Sequence, residues 1–173
     1  ADERPPIRQA VALPDSTPLL IVRHGKALAR ADWDGLDPER PLDERGRRQA
    51  QLLGSLLDAY GVGRLVSSTS TRCLQTLHPH AATSGMTLEG IPALSEEAFE
   101  ADPKAAAAFL KRAAKQAAET GIPAAVCGHR PVLPAMLGAL GVPARSLAPG
   151  SSLVLHLDAD AGVQAVELHT SPV

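Results

Sequence analysis

Aromatic side chains are scarce in this chain of 173 residues, which has one Trp, one Tyr and two Phe. Its core must therefore be built mainly from aliphatic side chains. Neither charge is in clear excess, because 17 basic residues stand against 19 acidic ones. That balance argues against a dedicated nucleic-acid-binding protein, which carries a basic surplus. It is compatible with a small phosphorylated substrate, since such a ligand needs only a local basic pocket.

Cysteine is also scarce, and Cys73 and Cys127 make neither a disulfide framework nor a zinc-binding pattern. Both lie in apolar or helical contexts, so we expect buried free thiols. The chain shows no signal peptide, no apolar run long enough to span a membrane and no basic amphipathic stretch. We therefore expect a soluble cytoplasmic protein that binds neither membrane nor nucleic acid.

Prolines and mixed charges dominate residues 1–18, which show no sustained hydrophobic period. We interpret this segment as a linker or an extended N-terminal arm. Residues 19–173 have the length of one domain. A linker ahead of a complete domain would suit the second half of a two-domain protein, and an ordinary frayed terminus is the equally simple alternative.

Short apolar segments alternate with segments of helical period through most of residues 19–173. This alternation predicts an α/β fold, a three-layer sandwich with a mainly parallel central sheet. Pro79 predicts a kink or a restart near His78, and residues 92–102 are interpreted as an acidic loop. The strands are expected at 19–22, 64–67, 87–91 and 124–127, the helices at 43–60, from 72 onward, at 103–119 and at 133–140, and a closing hairpin at 151–168.

Two of the predicted strands end in similar polar tripeptides. The first runs into Arg-His-Gly at 23–25, and the fourth runs into Gly-His-Arg at 128–130. Because the carboxyl ends of parallel strands meet at one edge of a sheet, these side chains are predicted to converge on one crevice. The second strand ends near Ser68, and Arg72 follows one turn into a helix, so it is expected at the same place.

Each of these groups suits a phosphoryl group. Arginine meets phosphate oxygens with a planar fork, and the amides at a helix start favour an anion. A neutral imidazole can act as a nucleophile, while a second, protonated imidazole can stabilise charge on the oxygens. Such a site needs no metal or other cofactor. His78 and His80 are closely spaced, but no third residue with the spacing of a metal ligand accompanies them.

Other enzyme classes find little support in the sequence. There is no Gly-x-Ser-x-Gly elbow of a serine hydrolase, and neither a Walker A motif nor a dinucleotide-binding glycine pattern occurs. His156 and His169 lie in the closing hairpin, and we interpret them as structural residues.

The segment Val-Arg-His-Gly at 22–25 resembles the signature of the histidine phosphatase superfamily, also called phosphoglycerate mutase-like. The resemblance covers nearly the whole chain after residue 18. Further segments resemble the family's motifs in the same order: Pro-Leu-Asp at 41–43 with Gly46 and the Gln-Ala pair at 49–50, Ser-x-x-x-Arg-x-x-x-Thr at 68–76, Leu-Ser-Glu at 94–96 and Gly-His at 128–129.

The resemblance implies a role for each candidate site residue. It makes His24 the phosphorylated nucleophile, with Arg23, Arg72 and His129 holding the phosphoryl oxygens and Ser68 as a minor phosphate contact.

The resemblance also implies a proton donor. Glu96 would act as the acid for the leaving group and then as the base for water. Glu97 is the alternative, since two adjacent carboxylates on an extended loop point to opposite sides and only one can face the site.

The implied function is that of a metal-independent phosphatase working through a phosphohistidine on a small phosphorylated metabolite, with a nucleotide favoured. Two branches fit: SixA-type phosphatases of protein phosphohistidine, and the phosphatase-like domain that follows a Nudix domain in bacterial nucleotide-sanitising hydrolases. The segments 72–76, 94–99 and 126–128 resemble the second branch more closely. A non-catalytic phosphate-binding module that supports a Nudix domain, in the same or a longer chain, is the remaining alternative, and the intact set of histidines and arginines argues against it.

Overall fold

The computed structural model of the protein describes residues 15–173. The predicted linker over residues 1–18 thus falls mostly outside the described residues. The first strand begins at Thr17, earlier than the expected Leu19, because Thr17 and Pro18 pair with Leu157 and His156 of a later strand.

The described part of the chain alternates strands with helices, as its hydrophobic pattern predicts. Among residues 15–173, none of the helices combines the length and the apolar character that crossing a bilayer requires. The strands are β1 (Thr17–Arg23), β2 (Arg64–Ser68), β3 (Leu88–Ile91), β4 (Ala124–Gly128), β5 (Ser152–Leu157) and β6 (Val163–His169). The helices are α1 (Glu44–Ala59), α2 (Thr71–Ser84), α3 (Glu96–Ala101), α4 (Pro103–Thr120) and α5 (Leu133–Ala139), with 3-10 turns at Arg30–Asp32, Asp37–Glu39 and Pro92–Leu94.

The strands form one six-stranded sheet in the order β3-β2-β4-β1-β5-β6. Strands β1 to β4 are parallel, and the closing hairpin β5–β6 adds two antiparallel strands. The mainly parallel sheet is therefore confirmed. Strands β1 and β4 are direct neighbours, with Arg23 in register with Gly128, which brings their two polar ends to the same edge.

Helices cover both faces of the sheet and complete the three-layer sandwich. On one face α4 and α5 pack against the sheet, where Leu110 and Ile21 share a hydrophobic core. On the other face α1 and α2 pack against it, where Leu57 and Leu20 share a second core. Residues 19–22 of β1 point alternately to the two faces of the sheet and are 0% exposed, which explains why this part of the strand is apolar.

Helix α2 runs without interruption through Pro79. Of the two predicted alternatives near His78, the restart is therefore wrong, and the kink stays a prediction. A proline inside a helix removes one backbone hydrogen bond. Helix α2 nevertheless buries side chains on both sides of Pro79, including Leu77 before it and Ala81 after it. Packing against the sheet holds the two halves in one helix, because tertiary contacts supply most of a helix's stability.

The segment predicted as an acidic loop is a 3-10 turn followed by helix α3, so that prediction is also wrong. The Ser95 hydroxyl accepts a hydrogen bond from the Ala98 backbone N–H at 3.1 Å and caps the helix. Glu96 and Glu97 lie in its first turn, where the positive end of the helix dipole favours carboxylates.

The two hairpin histidines have structural contacts, as expected from their positions. His156 Nε2 lies 2.5 Å from a carboxylate oxygen of Glu167. The Tyr60 hydroxyl lies 3.0 Å from the same oxygen and 3.2 Å from His169 Nε2. These contacts tie the C-terminal end of α1 to the edge strand β6.

Candidate active site

A cleft of about 300 Å³ opens where β1 and β4 end. Cavities of similar or larger volume occur elsewhere in the described structure, but this one gathers most of the predicted site residues. Its wall carries six cationic side chains and one carboxylate, and the polar lining consists of Arg23, His24, Lys26, Arg30, Arg40, Arg72, Glu96 and Arg130.

His24 follows β1 directly, and its backbone N–H continues the ladder to the Gly128 carbonyl at 3.2 Å. Its ring Nδ1 lies 2.6 Å from the Gly25 carbonyl oxygen. Because a carbonyl can only accept, we assign the proton of the neutral ring to Nδ1 and its lone pair to Nε2. Burial lowers the pKa of His24 below the usual 6.5, and the nearby positive charge of Arg72 acts in the same direction. The ring is therefore neutral at neutral pH.

The backbone after His24 is held by two helices. The Gly25 N–H donates to Thr76 Oγ1 of α2 at 2.9 Å, and the Lys26 N–H donates to Gln49 Oε1 of α1 at 2.9 Å. A Cβ on Gly25 would lie 3.0 Å from the Gly46 carbonyl oxygen. Glycine is thus required here by the close approach of the segment to α1.

His129 lies at the end of β4 and is 0% exposed. Its ring centroid is 5.4 Å from that of His24, and its Nδ1 is 3.2 Å from a Glu96 carboxylate oxygen. Burial by itself would lower the pKa of His129, but contacts with Cys73 and Glu96 outweigh it and raise this pKa to about 9. His129 is therefore an imidazolium at neutral pH.

Ser68 stands against His129. Its hydroxyl is 2.8 Å from His129 Nε2, and both side chains are fully buried. The structure thus places Ser68 where it orients the His129 ring, and the predicted direct phosphate contact stays a prediction. Cys73 Sγ is 3.5 Å from the same ring nitrogen, and both Cys73 and Cys127 are buried free thiols, as expected.

Arg72 is held in a fixed orientation at the base of the cleft, with 1% of its side chain exposed. Its Nη1 donates to the Asp37 carbonyl oxygen at 2.9 Å. Its Nη2 donates to the Asp37 carboxylate at 3.3 Å and to the Glu96 carboxylate at 2.6 Å. Arg23 is anchored by Nη1, which donates to the Leu147 carbonyl oxygen at 2.7 Å.

The buried Nε atoms of Arg23 and Arg72 find no hydrogen-bond acceptor among the described residues. Unsatisfied buried donors are rare and costly, so their presence asks for an explanation. Both belong to the two arginines that are predicted to hold a phosphoryl group, and an oxyanion in the cleft would be a suitable acceptor.

Glu96 lines the cleft, with its carboxylate against both Arg72 and His129. The hydrogen bond from His129 and then that from Arg72 outweigh burial and lower the pKa of Glu96 to about 2. Glu97 is its exposed neighbour on α3. The argument from an extended loop is wrong, since both begin a helix, but neighbouring side chains on a helix also diverge, and Glu96 is the one that faces the cleft.

Several site residues were missed by the sequence reasoning. Asp37 and Arg40 belong to the loop between β1 and α1, which was expected beside the site without assigned residues. Arg40 donates to the Asp37 carboxylate at 2.9 Å and to the Leu28 carbonyl at 2.7 Å, which closes the loop over Arg72. Arg130 belongs to the tripeptide at 128–130 that was predicted to reach the crevice, although no role was assigned to it. For Asp37 no spacing pattern exists.

Within residues 15–173, no group of three or more His, Cys, Asp or Glu side chains is arranged to hold a metal ion. Of the closely spaced pair on α2, His80 is buried and lies 3.7 Å from Asp58, whereas His78 is exposed.

The family model described as the histidine phosphatase superfamily (branch 1) matches residues 19–104, which include the Arg-His-Gly end of β1 and the start of α2. The chain belongs to the histidine phosphatase superfamily. Its six-stranded sheet with helices on both faces is consistent with the phosphoglycerate mutase-like fold.

Individual relatives agree with this assignment. The 8-oxo-(d)GTP phosphatase of Mycolicibacterium smegmatis is 39% identical over 137 residues, which are 79% of this chain and 41% of that protein. This histidine phosphatase chain therefore spans less than half the length of that relative. The superfamily match and the phosphatase name of this relative agree with each other.

Solved structures show the shared fold. The protein histidine phosphatase SixA complexed with tungstate superposes with a TM-score of 0.69 at 20% identity, covering 90% of this chain and 97% of the other. The alpha-ribazole phosphatase from Shigella flexneri superposes with a TM-score of 0.61 at 19% identity, covering 91% of this chain and 96% of the other.

Proposed function

We propose that the chain is a metal-independent phosphatase that works through a phosphohistidine at His24. The observation that carries this proposal is the neutral His24 ring in a cationic cleft, with its Nδ1 engaged by the Gly25 carbonyl. That engagement leaves the lone pair on Nε2, and a neutral imidazole with an available lone pair is a competent nucleophile.

The proposed reaction has two half-reactions. First, His24 Nε2 forms a bond to phosphorus while the bond from phosphorus to the leaving oxygen breaks, and that oxygen takes a proton from Glu96. Second, Glu96 takes a proton from water, the water oxygen bonds to phosphorus, and the electron pair of the broken N–P bond returns to Nε2. Arg23, Arg72 and the His129 imidazolium stabilise the charge on the phosphoryl oxygens in both.

The proposed substrate is a small phosphorylated metabolite, and a nucleotide is favoured. Besides Arg23 and Arg72, the cleft is lined by three more cationic side chains, those of Lys26, Arg30 and Arg130. The site therefore offers more positive charge than one phosphoryl group needs. The nucleotide-directed relative supports the same choice. A neighbouring Nudix domain is part of this proposal and rests on the resemblance of residues 72–76, 94–99 and 126–128 to Nudix-linked phosphatases.

Trapping the intermediate tests the proposal. The chain is mixed with a nucleotide labelled in its transferable phosphate, quenched rapidly in alkali and digested, and the labelled peptide is mapped. We expect label on the peptide that contains His24, lost on acid treatment and absent from His24→Ala. Label that survives acid, or that persists in His24→Ala, contradicts the proposal.

Substrate comparison separates the alternatives. Turnover of nucleotides above that of a phosphohistidine protein supports the nucleotide phosphatase, and the reverse order identifies a phosphatase of the SixA type. Binding of inorganic phosphate without turnover of any phosphoester or phosphohistidine would identify a non-catalytic phosphate-binding module.

A further inference from the structure

The Glu96 carboxylate contacts two cationic side chains of the cleft, Arg72 and His129, at the same time. Its Oε2 is 2.6 Å from Arg72 Nη2 and 3.2 Å from His129 Nδ1. The first contact is a short charge-assisted hydrogen bond, and the second is an ion pair with the His129 imidazolium. The carboxylate therefore takes Nη2 of Arg72 and Nδ1 of His129, two of the donors that the proposed phosphoryl group would use, while Nε of Arg72 stays without an acceptor among the described residues.

The exposed fractions of the two side chains show that Glu96 lies between His129 and the solvent. His129 is 0% exposed, whereas the Glu96 side chain is 23% exposed and lines the cleft. A phosphoryl group that enters from solvent meets Glu96 before it can reach His129. It contacts His129 only if the Glu96 carboxylate moves away.

We infer that Glu96 is an internal competitor for the phosphoryl site, and that the arriving phosphoryl group displaces its carboxylate and thereby causes it to take up a proton. This inference deepens the proposed function and rests on it, since it concerns the same pocket. It assigns Glu96 two successive states: an ion paired with Arg72 and His129 in the empty enzyme, and a neutral acid beside the bound substrate.

The charges around Glu96 explain the change. In the empty cleft it faces Arg72 of α2 and His129 after β4, with Arg23, His24 and Arg130 on the surrounding wall. Of these groups, His129 and then Arg72 hold the pKa of Glu96 at about 2. A bound phosphoryl dianion takes over the two inner partners and adds negative charge nearby, and both effects favour the protonated carboxyl.

The proton step is balanced. One proton passes from solvent to the displaced Glu96 carboxylate when the substrate binds. The same proton passes to the leaving oxygen as the P–O bond breaks, and Glu96 regains a proton from the attacking water in the second half-reaction. The acid that the reaction needs is thus loaded by binding and is absent from the empty enzyme.

Calorimetric titration with sulfate tests the inference, because sulfate is a tetrahedral dianion that does not itself titrate near neutral pH. At pH 7 we expect Glu96→Gln to bind sulfate about tenfold more tightly than the wild type, since a competing charged partner is removed. Glu97→Gln is the matched control: it removes the same charge one residue away, at an exposed position, and should bind sulfate like the wild type.

Proton uptake is measured by repeating the titration in buffers of different ionisation enthalpy. The wild type and Glu97→Gln should take up about one proton per sulfate bound, and Glu96→Gln should take up far less. His24→Asn separates the two candidate proton acceptors: uptake that persists in His24→Asn assigns the proton to Glu96. This comparison needs only the wild type and His24→Asn, so it decides the question even if Glu96→Gln does not fold.

The inference is overturned if Glu96→Gln binds sulfate no more tightly than the wild type, if the wild type takes up no proton, or if the uptake disappears in His24→Asn. Failure of the proposed function gives a different result. In that case no acid-labile label forms at His24, whatever the sulfate titrations show. A labelled His24 together with unchanged sulfate affinity in Glu96→Gln keeps the phosphatase and rejects the displacement.

Discussion

At the scale of single residues, Arg72 illustrates how position gives a common side chain a special role. Its two terminal nitrogens are already oriented by the Asp37 carbonyl and carboxylate. The guanidinium therefore does not have to search for its geometry when an anion arrives. Preorganised donors of this kind contribute most to stabilising charge that develops during a reaction.

Replacing Arg72 by lysine should lower kcat/KM by roughly 10²-fold or more, although the charge is kept, because an ammonium cannot reproduce the two-bond fork. Steady-state hydrolysis of p-nitrophenyl phosphate measures this. Arg64→Lys is the control, since Arg64 makes a two-bond pair with Glu89 away from the cleft, and its activity should stay near that of the wild type. An Arg72→Lys enzyme as active as Arg64→Lys would contradict the assignment.

The raised pKa of His129 sets the expected alkaline limit of activity. Its pKa is raised to about 9, and the protonated ring is the form that can stabilise a phosphoryl group. Activity should therefore be retained at neutral pH and be lost as the pH rises through about 9. In Glu96→Gln the limb should move to lower pH, because one of the contacts that raise this pKa is gone. The measurement is kcat/KM for p-nitrophenyl phosphate as a function of pH. An alkaline limb at the same pH in Glu96→Gln and in the wild type would contradict the effect of Glu96 on the pKa of His129.

At the scale of elements, helix α1 is a support for the segment after β1. Asp43 caps the helix by accepting from the Gly46 N–H at 2.8 Å, and Lys26 Nζ binds the same carboxylate at 2.9 Å. A Cβ on Gly46 would lie only 2.1 Å from the Lys26 carbonyl oxygen. The first turn of α1 and the backbone beside His24 thus touch without space for a side chain.

Gly46→Ala should therefore force α1 and the nucleophile segment apart. We expect a loss of about 1–3 kcal/mol in the free energy of unfolding, as for other overpacked sites, and at least a tenfold lower kcat/KM because His24 is displaced. Gly54→Ala in the same helix is the control. Its Cβ would meet only the His80 Nδ1 atom, at 3.3 Å, so it should stay within about 1 kcal/mol of the wild type. Denaturant unfolding and steady-state kinetics test both, and a fully active Gly46→Ala would refute the close approach.

At the scale of the whole molecule, every group of the candidate site comes from this one chain. Strand β1 supplies Arg23 and leads to His24, α2 supplies Arg72, α3 supplies Glu96, and β4 leads to His129. The sheet brings these elements together because β1 and β4 are neighbours and β2 lies beside β4.

We therefore expect the 173-residue chain alone to hydrolyse p-nitrophenyl phosphate, with turnover unchanged by excess chelator, since arginine and imidazolium charges take the part that a metal would play. Inorganic phosphate should inhibit competitively. The measurement is initial rate with and without chelator, with His24→Ala as the inactive reference. Turnover that is lost in chelator and returns with a divalent metal would contradict this expectation.

The sequence by itself determined the sheet and the place of the site. The apolar runs before the polar tripeptides at 23–25 and 128–130 indicated buried strands, and parallel strands bring their carboxyl ends to one edge. The start of α1 was readable as well, because the helix predicted at 43–60 begins at Glu44 with Asp43 as its cap. Ser95 carried the same local signal for α3, and it was overlooked in favour of the acidic composition around it.

Only the tertiary structure decided the charge states and the partners inside the cleft. Asp37 reaches Arg72, and Glu96 reaches both Arg72 and His129, across long intervals of chain. Such contacts depend on how a loop and a short helix pack over the end of a sheet, which no local period encodes. The pKa values of His129 and Glu96 then follow from burial and a few ångströms of separation, because electrostatic energies vary with distance and solvent exposure, not with position in the sequence.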